Sequence, residues 1–582
     1  MIQNFNKEKL LLISSLLVLF FVLLFLIFNS NRGLDVSDES YYVLVAKYMQ
    51  NWYLTSFHEG YYTNILYTFF NDNLAYIRSF GVLFLTFSAF LFAITIKKFI
   101  NEKFELELDK TIGYIFIITI ATSSFFYYIH WLLTPSYNLF SLIFVNLILA
   151  NYFWILNNYD EIKGKFFRLE YIFLGLLFSI LFVIKITVAF ALFLSLLLFS
   201  LFEYKKIDFK RAFVLTTIVG VISLLFHIIL IFGSFNEYFE ITIESIGILK
   251  SIDSGYSLLN IFGIFKSYED TAYKNLPMTL TVPLVIIYII SRQLFSAKNI
   301  LNTYQFVLVL IFAFIIYAYL FMINSSIWFM FSVLLLNLFL IYFYINPIKE
   351  TKKYLISTIP IIGLLILSSI SSSYGTNNSL IPHMSIFAQY ISAALLILIL
   401  IIDKISDSKK YMNLIAIFIS LVVLVSIYNA YNNPYRLNTS IGKQTQEVNI
   451  LGGLKVDEEF KKYTNKLLAI KEKNPEIEFL FDMTGGSSGA IVILGSKYIG
   501  SPWVLGGYRG SNIFALNILK KENPENLKKA WILKPNLGSR AIDLSILDKV
   551  GINFPEDYEL VETFYLKLRD ETQELWRPKY NE

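Results

Sequence analysis

The chain contains no cysteine, which excludes disulfides, thiol catalysis and cysteine-ligated metal. Charge is scarce: charged residues make up 16% of the chain, against about 25% in ordinary soluble domains. Histidines number 4, and no HExxH or other compact metal motif occurs. The glycine-rich TGGSSG at 484–489 lacks the Lys-Ser/Thr of a P-loop, so it reads as a turn and calls for no nucleotide cofactor. The first apolar run, at 10–28, has no small-x-small cleavage site and exceeds the about 7–15 residues of a signal-peptide core. It reads as a retained span. No strong internal repeat is visible. The formal charge of +5 follows from where the lysines lie and requires no nucleic acid.

What the chain has is apolar length. It is 56% hydrophobic and 17% aromatic, with a mean hydropathy of +0.58. Apolar runs near the ~20 residues that cross a bilayer recur along it, which defines a polytopic α-helical membrane protein. About thirteen transmembrane helices are predicted by that length criterion. They lie at 10–28, 78–97, 111–130, 136–156, 169–184, 186–203, 212–233, 278–295, 303–323, 326–345, 353–370, 384–402 and 412–428. With the N-terminus in the cytoplasm, the cytoplasmic segments hold Lys97, Lys98, Lys163, Lys165, Arg168, Lys205, Lys206, Lys210 and Arg211. Arg292, Lys298, Lys349, Lys352, Lys353, Lys404, Lys409 and Lys410 fall on the same side. The opposite short loops at 131–135, 324–326 and 371–383 are nearly free of basic residues, as the positive-inside bias requires. The loop 234–277 is rich in spaced apolar residues and reads as amphipathic helices in the interface.

Past 430 the composition changes, dividing the chain into a transmembrane region, 1–430, and a soluble extracytoplasmic region, 431–582. The latter reads as α+β. Residues 477–481 and 490–494 are predicted buried strands, and 457–473 and 512–521 amphipathic helices. Trp503, Tyr508 and Arg509 are candidates for holding a sugar, with a packed core tryptophan as the alternative.

One stretch stands out. Residues 34–53, LDVSDESYYVLVAKYMQNWY, follow the first span and carry Asp38 and Glu39. Acids beside a span are costly to desolvate and sit where water or a ligand meets them. Their alternative role is to cap the helix that follows. Asp35, three residues earlier, reads as solvated.

The Asp38-Glu39-Ser40-Tyr41-Tyr42 motif in the first outer loop resembles that of the GT-C glycosyltransferases. The likeness is to the family 39-like branch, which includes protein O-mannosyltransferases and the aminoarabinose transferase of lipid A. The helix that follows, the span opening LAYIRSFGVLFL with Arg78, TPSYNLFSLIF at 134–144 and LFVIKITVAF at 181–190 with its lysine are also similar. The resemblance covers residues 1 to about 430. Two departures stand out: His58-Glu59-Gly60 lacks the family's proline element, and Tyr137-Asn138 stand where a further acid is common. These leave metal dependence and the subfamily open.

The resemblance implies a membrane glycosyltransferase in a bacterial cytoplasmic membrane, taking a sugar from a polyprenyl-phosphate donor with inversion. The acceptor is an envelope glycan, glycolipid or protein. Asp38 is the expected base on the acceptor hydroxyl, with Glu39 supporting it or binding metal. Cations, or a divalent metal ion on Asp38, Glu39 and His58, would stabilise the departing phosphate. Lys185, isolated between apolar residues, is the expected phosphate ligand, with snorkelling to the interface as the alternative. Arg78 is expected to pair with an acid or with phosphate. His58, Glu59, Tyr137, Asn138 and His383 are candidate substrate contacts, while His130 and His227 read as interfacial or packed. The rival functions are a transporter or flippase for lipid-linked sugars, an oligosaccharide transferase, and a non-catalytic envelope assembly protein.

Overall fold

The computed structural model describes residues 7–48, 58–106, 108–162, 168–203, 209–251, 327–345, 349–374, 380–405 and 410–579. Its first part is helical. A long α1 (Lys7–Phe28) leads to α2 (Asp38–Lys47) and α3 (Gly60–Phe69) of the first loop. Then come α4 (Leu74–Phe104), α5 (Lys110–Ser123), α6 (Tyr137–Asn157) and the short α7 (Tyr159–Ile162). An apolar pair, α8 (Leu169–Ile184) and α9 (Ile186–Phe202), precedes α10 (Phe209–Phe232) and α11 (Phe235–Ser251). After the gap come α12 (Ile327–Ile345), α13 (Lys349–Ser373), α14 (Leu380–Met384), α15 (Ala388–Ile405) and α16 (Lys410–Asn432).

Eight helices among the described residues are long and apolar enough to cross a membrane. They coincide with predicted spans, and α8, α9 and α12 stand at three further predicted positions. The spans predicted at 278–295 and 303–323, and the loop beyond 251, lie outside the described residues. Buried residues of the central helix α15, such as Tyr390, Ala394 and Leu398, pack against α4, α5 and α16. By contrast, α1 and α10 expose Leu17, Phe20, Phe21, Ile222, Phe226 and Leu230 outward. A continuous apolar surface of that kind needs an apolar surrounding.

The helix ends gather into two groups. At one end Lys103 pairs with Glu203, and Lys404 donates to the carbonyls of Phe104 (2.6 Å) and Glu105 (2.7 Å). At the other end the C-terminus of α1, the N-termini of α4 and α6, the α8–α9 junction and the C-terminus of α13 meet, as the contacts of Arg78 and Lys185 below establish. This division of ends is the one that alternating spans produce.

The C-terminal part is an α/β head. A hairpin of β1 (Gln446–Val448) and β2 (Leu454–Val456) precedes α17 (Glu458–Lys473). A five-stranded sheet follows, built from β3 (Phe479–Asp482), β4 (Lys497–Tyr498), β5 (Trp531–Pro535), β6 (Tyr558–Leu566) and β7 (Glu571–Pro578). Its order is β4-β3-β5-β7-β6. Strands β4, β3 and β5 are parallel, and β7 is antiparallel to both β5 and β6. Helices α18 (Ser488–Leu494), α19 (Ser511–Leu519), α20 (Pro524–Lys529) and α21 (Ser545–Asp548) connect the strands.

The predicted helices at 457–473 and 512–521 are present as α17 and α19, and 477–481 lies largely on β3. The predicted strand at 490–494 is instead the end of α18. A five-residue apolar run buried on all sides carries no periodicity, so a helix and a strand read alike there.

The head does not stand apart. Leu34, Val36, Val43, Leu44, Tyr67 and Ile77 of the first loop and α4 form one core with Leu454, Val456, Leu467, Leu480 and Trp531 of the head. Backbone bonds stitch the seam: Gly33 N–H to the Lys455 carbonyl (2.8 Å), Lys455 N–H to the Asn31 carbonyl (2.8 Å) and Leu74 N–H to the Leu451 carbonyl (3.0 Å). Helix α11 joins the same assembly, with Ile248 in the head's second apolar cluster and Glu244 paired with Lys521. It packs on the head as well as offering the apolar face expected of an interfacial helix.

Leu44→Ala removes a side chain that fills this shared core, at a cost of about 2–5 kcal/mol. Limited proteolysis should then speed up within the head, hundreds of residues away in sequence. Faster cleavage confined to the first loop would refute the shared core.

Candidate active site

The short run from the end of α1 into the first turn of α2 carries three acids, and folding gives each a different fate. Asp35 is 1% exposed. Its carboxylate accepts from the Ser37 N–H (3.1 Å), the Ser37 hydroxyl (2.8 Å) and the Asp38 N–H (2.7 Å), which closes the N-terminus of α2. The expectation that Asp35 is solvated is corrected here. An Asx-type turn lets it satisfy backbone donors without water. Burial, with the Asp38 charge added, raises its pKa to about 6, against the opposing pull of Arg436 and of the Ser37 bonds.

Glu39 is also buried. It accepts from Arg78 Nη2 on both oxygens (2.9 Å each), from the Thr134 hydroxyl (2.7 Å) and N–H (3.2 Å), and from the Asp35 N–H (3.1 Å). Arg78 is 1% exposed and spends its remaining donors on the Ser30, Arg32 and Gly33 carbonyls (2.9, 3.4 and 3.0 Å) and on Thr134 Oγ1 (3.0 Å). A guanidinium has five N–H groups. All are engaged, so Arg78 meets its acid as expected and has no donor left for phosphate.

Asp38 is the acid at the surface, 20% exposed, and it accepts from Arg436 Nη1 at 3.0 Å. Burial pushes its carboxyl above the usual range. Arg436 opposes this, Glu39 adds to it, and Arg540 and Arg569 oppose it. Arg436 also donates to the Ser37 hydroxyl (2.6 Å) and stacks on the Tyr435 and Trp503 rings at 4.6 and 5.7 Å. Trp503 in turn reaches Tyr41 (6.4 Å) and donates its indole N–H to the Gly485 carbonyl (3.0 Å). Arg436 was not foreseen. It sits in a polar linker, where nothing local distinguishes it from a solvated arginine.

Tyr42 links Asp38 to a deeper group. Its ring lies 6.1 Å from Tyr137, and its hydroxyl lies in the fields of Asp38 and Glu59. Lys185 breaks α8 from α9 with an extended backbone, φ −157° and ψ 90°. Its side chain is fully buried, which excludes snorkelling to bulk water. The ammonium donates to Asn138 Oδ1 (3.1 Å) and the Ser372 carbonyl (3.0 Å), and lies 5.3 Å from the Tyr137 ring. Glu59 is 1% exposed, and neither carboxylate oxygen has a hydrogen-bond partner among the described residues. Burial raises its pKa to about 8, with the Lys185 charge pulling the other way.

The predicted residues thus divide. Asp38, Glu59, Lys185, Tyr137 and Asn138 lie along one path, while Glu39 and Arg78 hold the loop. His58 packs edge-on to Phe232 (4.8 Å) and its backbone N–H donates to the Val183 carbonyl (3.2 Å). His383 packs against Phe387 (5.7 Å), close enough to feel the Lys185 charge. Among the described residues no group of three His, Cys, Asp or Glu could hold a metal ion, so Asp38, Glu39 and His58 do not form the expected donor set. Tyr508 and Arg509 are exposed on the head, while Trp503 is half-buried under Arg436.

No protein-family profile, curated protein or solved structure matches the chain.

Arg78→Ala would leave Glu39 buried without its cation, a loss of about 3–5 kcal/mol. Thermal unfolding in detergent measures it; a melting temperature unchanged from wild type would refute the clamp. Glu59 gives a pH signature. An acid whose folded pKa is raised binds protons better in the native state, so stability falls as pH rises from about 4.5 to about 8. Glu59→Gln should flatten the melting-temperature profile over that range and leave it unchanged below it.

Proposed function

We propose that the protein is a membrane glycosyltransferase, moving a sugar from a polyprenyl-phosphate donor to an envelope glycan, glycolipid or protein on the outer face of the membrane. The observation that carries this reading is the partly exposed Asp38, held at 3.0 Å by Arg436, near the half-buried Tyr137 and the buried Asn138, Lys185 and Glu59. The motif resemblance at 38–42 supports it. So does the gathering of lysines at the helix ends remote from the head, which favours a cytoplasmic N-terminus, thirteen crossings and an outer head.

In this reading Asp38 accepts the proton of the acceptor hydroxyl. The freed oxygen bonds to the anomeric carbon, and the carbon–oxygen bond to the carrier phosphate breaks with its electron pair on phosphate. Burial moves Asp38 toward the range where a carboxylate is an effective base near neutral pH. Glu39 and Arg78 hold the backbone from which Asp38 projects. Lys185 has three donors and two acceptors among the described residues, Asn138 Oδ1 and the Ser372 carbonyl, so one remains for a donor oxygen or hydroxyl. A divalent ion remains a part of the family expectation for which these residues offer no assembled donor set, and no step depends on it.

A second reading is a transporter of lipid-linked sugars. Its support is a buried polar contact on the helices: Asn146 Nδ2 donates to Ser88 Oγ (3.3 Å) and Gln389 Oε1 (3.2 Å).

Asp38→Asn tests the base. Reconstituted with labelled polyprenyl-phosphate sugars and candidate acceptors, it should lose about 100-fold or more of transfer while still binding donor. The wild-type rate should rise with pH through a midpoint above the ordinary carboxylate range. Full transfer by the variant would sink the assignment, and lipid translocation without transfer would favour the transporter.

A further inference from the structure

The head's sheet has a switch point. Strand β3 lies between β4 and β5, all parallel. The chain leaves β3 for β4 on one side, through α18, then returns past β3 to β5 on the other. In open α/β sheets the carboxyl ends of such strands frame the crevice that takes ligands. Here the loops after β3 and β5 touch: the Ile542 N–H donates to the Met483 carbonyl at 2.9 Å.

Two arginines converge on that crevice. The Arg540 carbonyl lies 2.2 Å from where a Cβ at Gly485 would sit and 1.9 Å from one at Gly506, so both turns must be glycine for Arg540 to seat. A Cβ at Gly486 would stand 2.3 Å from the Arg569 guanidinium. Neither guanidinium makes a hydrogen bond or an ion pair among the described residues, and Arg569 Nε is buried with no partner. The nearby acids Asp482 and Glu571 attract Arg569 through space but make no bond to it among the described residues. Asp482 accepts from the Thr484 N–H (2.9 Å), the Thr484 hydroxyl (2.6 Å) and the Ser487 N–H (2.7 Å), and Glu571 accepts from Gln573 (2.8 Å). The crevice adjoins the site already described. The Gly489 N–H donates to the Val36 carbonyl (2.8 Å), Trp503 joins Gly485 to Arg436, and the Asp38 carboxyl feels both arginines.

We propose that this crevice is a phosphoryl-binding site, in which Arg540 and Arg569 of the head grip the phosphate of the lipid-linked donor beside Asp38. Its assignment to the donor rests on the transferase reading; its affinity for phosphoryl oxygens does not. Partly buried arginines without partners suit such a group because the planar fork matches two oxygens at once. The head then supplies the charge that receives the leaving electron pair, a role the sequence suggested for Lys185 and, as one of two alternatives, for Arg78.

The test uses the full chain in lipid nanodiscs and measures binding of two probes: polyprenyl monophosphate presented in vesicles, and inorganic pyrophosphate. Arg540→Gln and Arg569→Gln should each weaken binding of the lipid by about tenfold or more, the loss expected for a charged hydrogen bond. Arg540→Lys and Arg569→Lys should fall between, since charge returns without the fork. Melting temperatures without ligand should change little, because neither guanidinium makes a hydrogen bond or ion pair among the described residues that glutamine would remove. A drop restored by lysine, with lipid binding unchanged, would make the arginines structural and overturn the proposal. Binding of pyrophosphate alone would overturn the lipid source. Arginine-dependent lipid binding by a wild type that transfers no sugar would uphold the site and remove the transferase reading.

Discussion

The buried pair of Arg78 and Glu39 is the contact on which the rest of the site depends. Arg78 enters at the start of α4 and reaches the end of α1, the first loop and Thr134 before α6. Five donors in one plane hold four stretches of chain at fixed relative positions. Lysine, with three donors on a single nitrogen, could not do so. Such a pair is not a large source of net stability, because desolvating both charges offsets much of their attraction. Its value is positional. With Glu39 turned inward and Asp35 closing the helix, Asp38 is left to face the surface.

A second consequence concerns the head. Its β hairpin and α17 complete a core that the first loop begins, so the two parts are one packed unit at this end of the molecule. Arg436, Arg540 and Arg569 therefore come to the same acid from three separate segments. A head that shares its core with the loop keeps those charges in register with Asp38. A head on a flexible linker would not, because held geometry is what makes a charge useful to a reaction.

Much of the helical layout was legible in the chain. Lipid imposes a length and an apolar composition on any segment that crosses it, and both are local properties. The lysine bias is local too, and the helix ends sort in the structure as it suggested. The isolated Lys185 was legible for the same reason, since an apolar setting makes one cation conspicuous. The segment 490–494 was not, because five apolar residues fit either period. Asp35 was misjudged: it seemed solvated and instead closes a turn. For Arg78 the sequence left an acid or phosphate open, and the structure gives it the acid.

By itself the sequence determined the apolar helices, their approximate bounds, the charged ends, the change of composition past 430 and the acidic loop worth testing. Tertiary structure alone decided which acid stays at the surface, which cation is satisfied and which arginines face the site. The physical reason is that a charged side chain takes its role from its partners. Arg78 meets Glu39 and Thr134, Asp38 meets Arg436, and the glycine turns at 484–489 and 506–511 meet Arg540 and Arg569. Those partners lie from tens to hundreds of residues apart, beyond the reach of any periodicity or local motif.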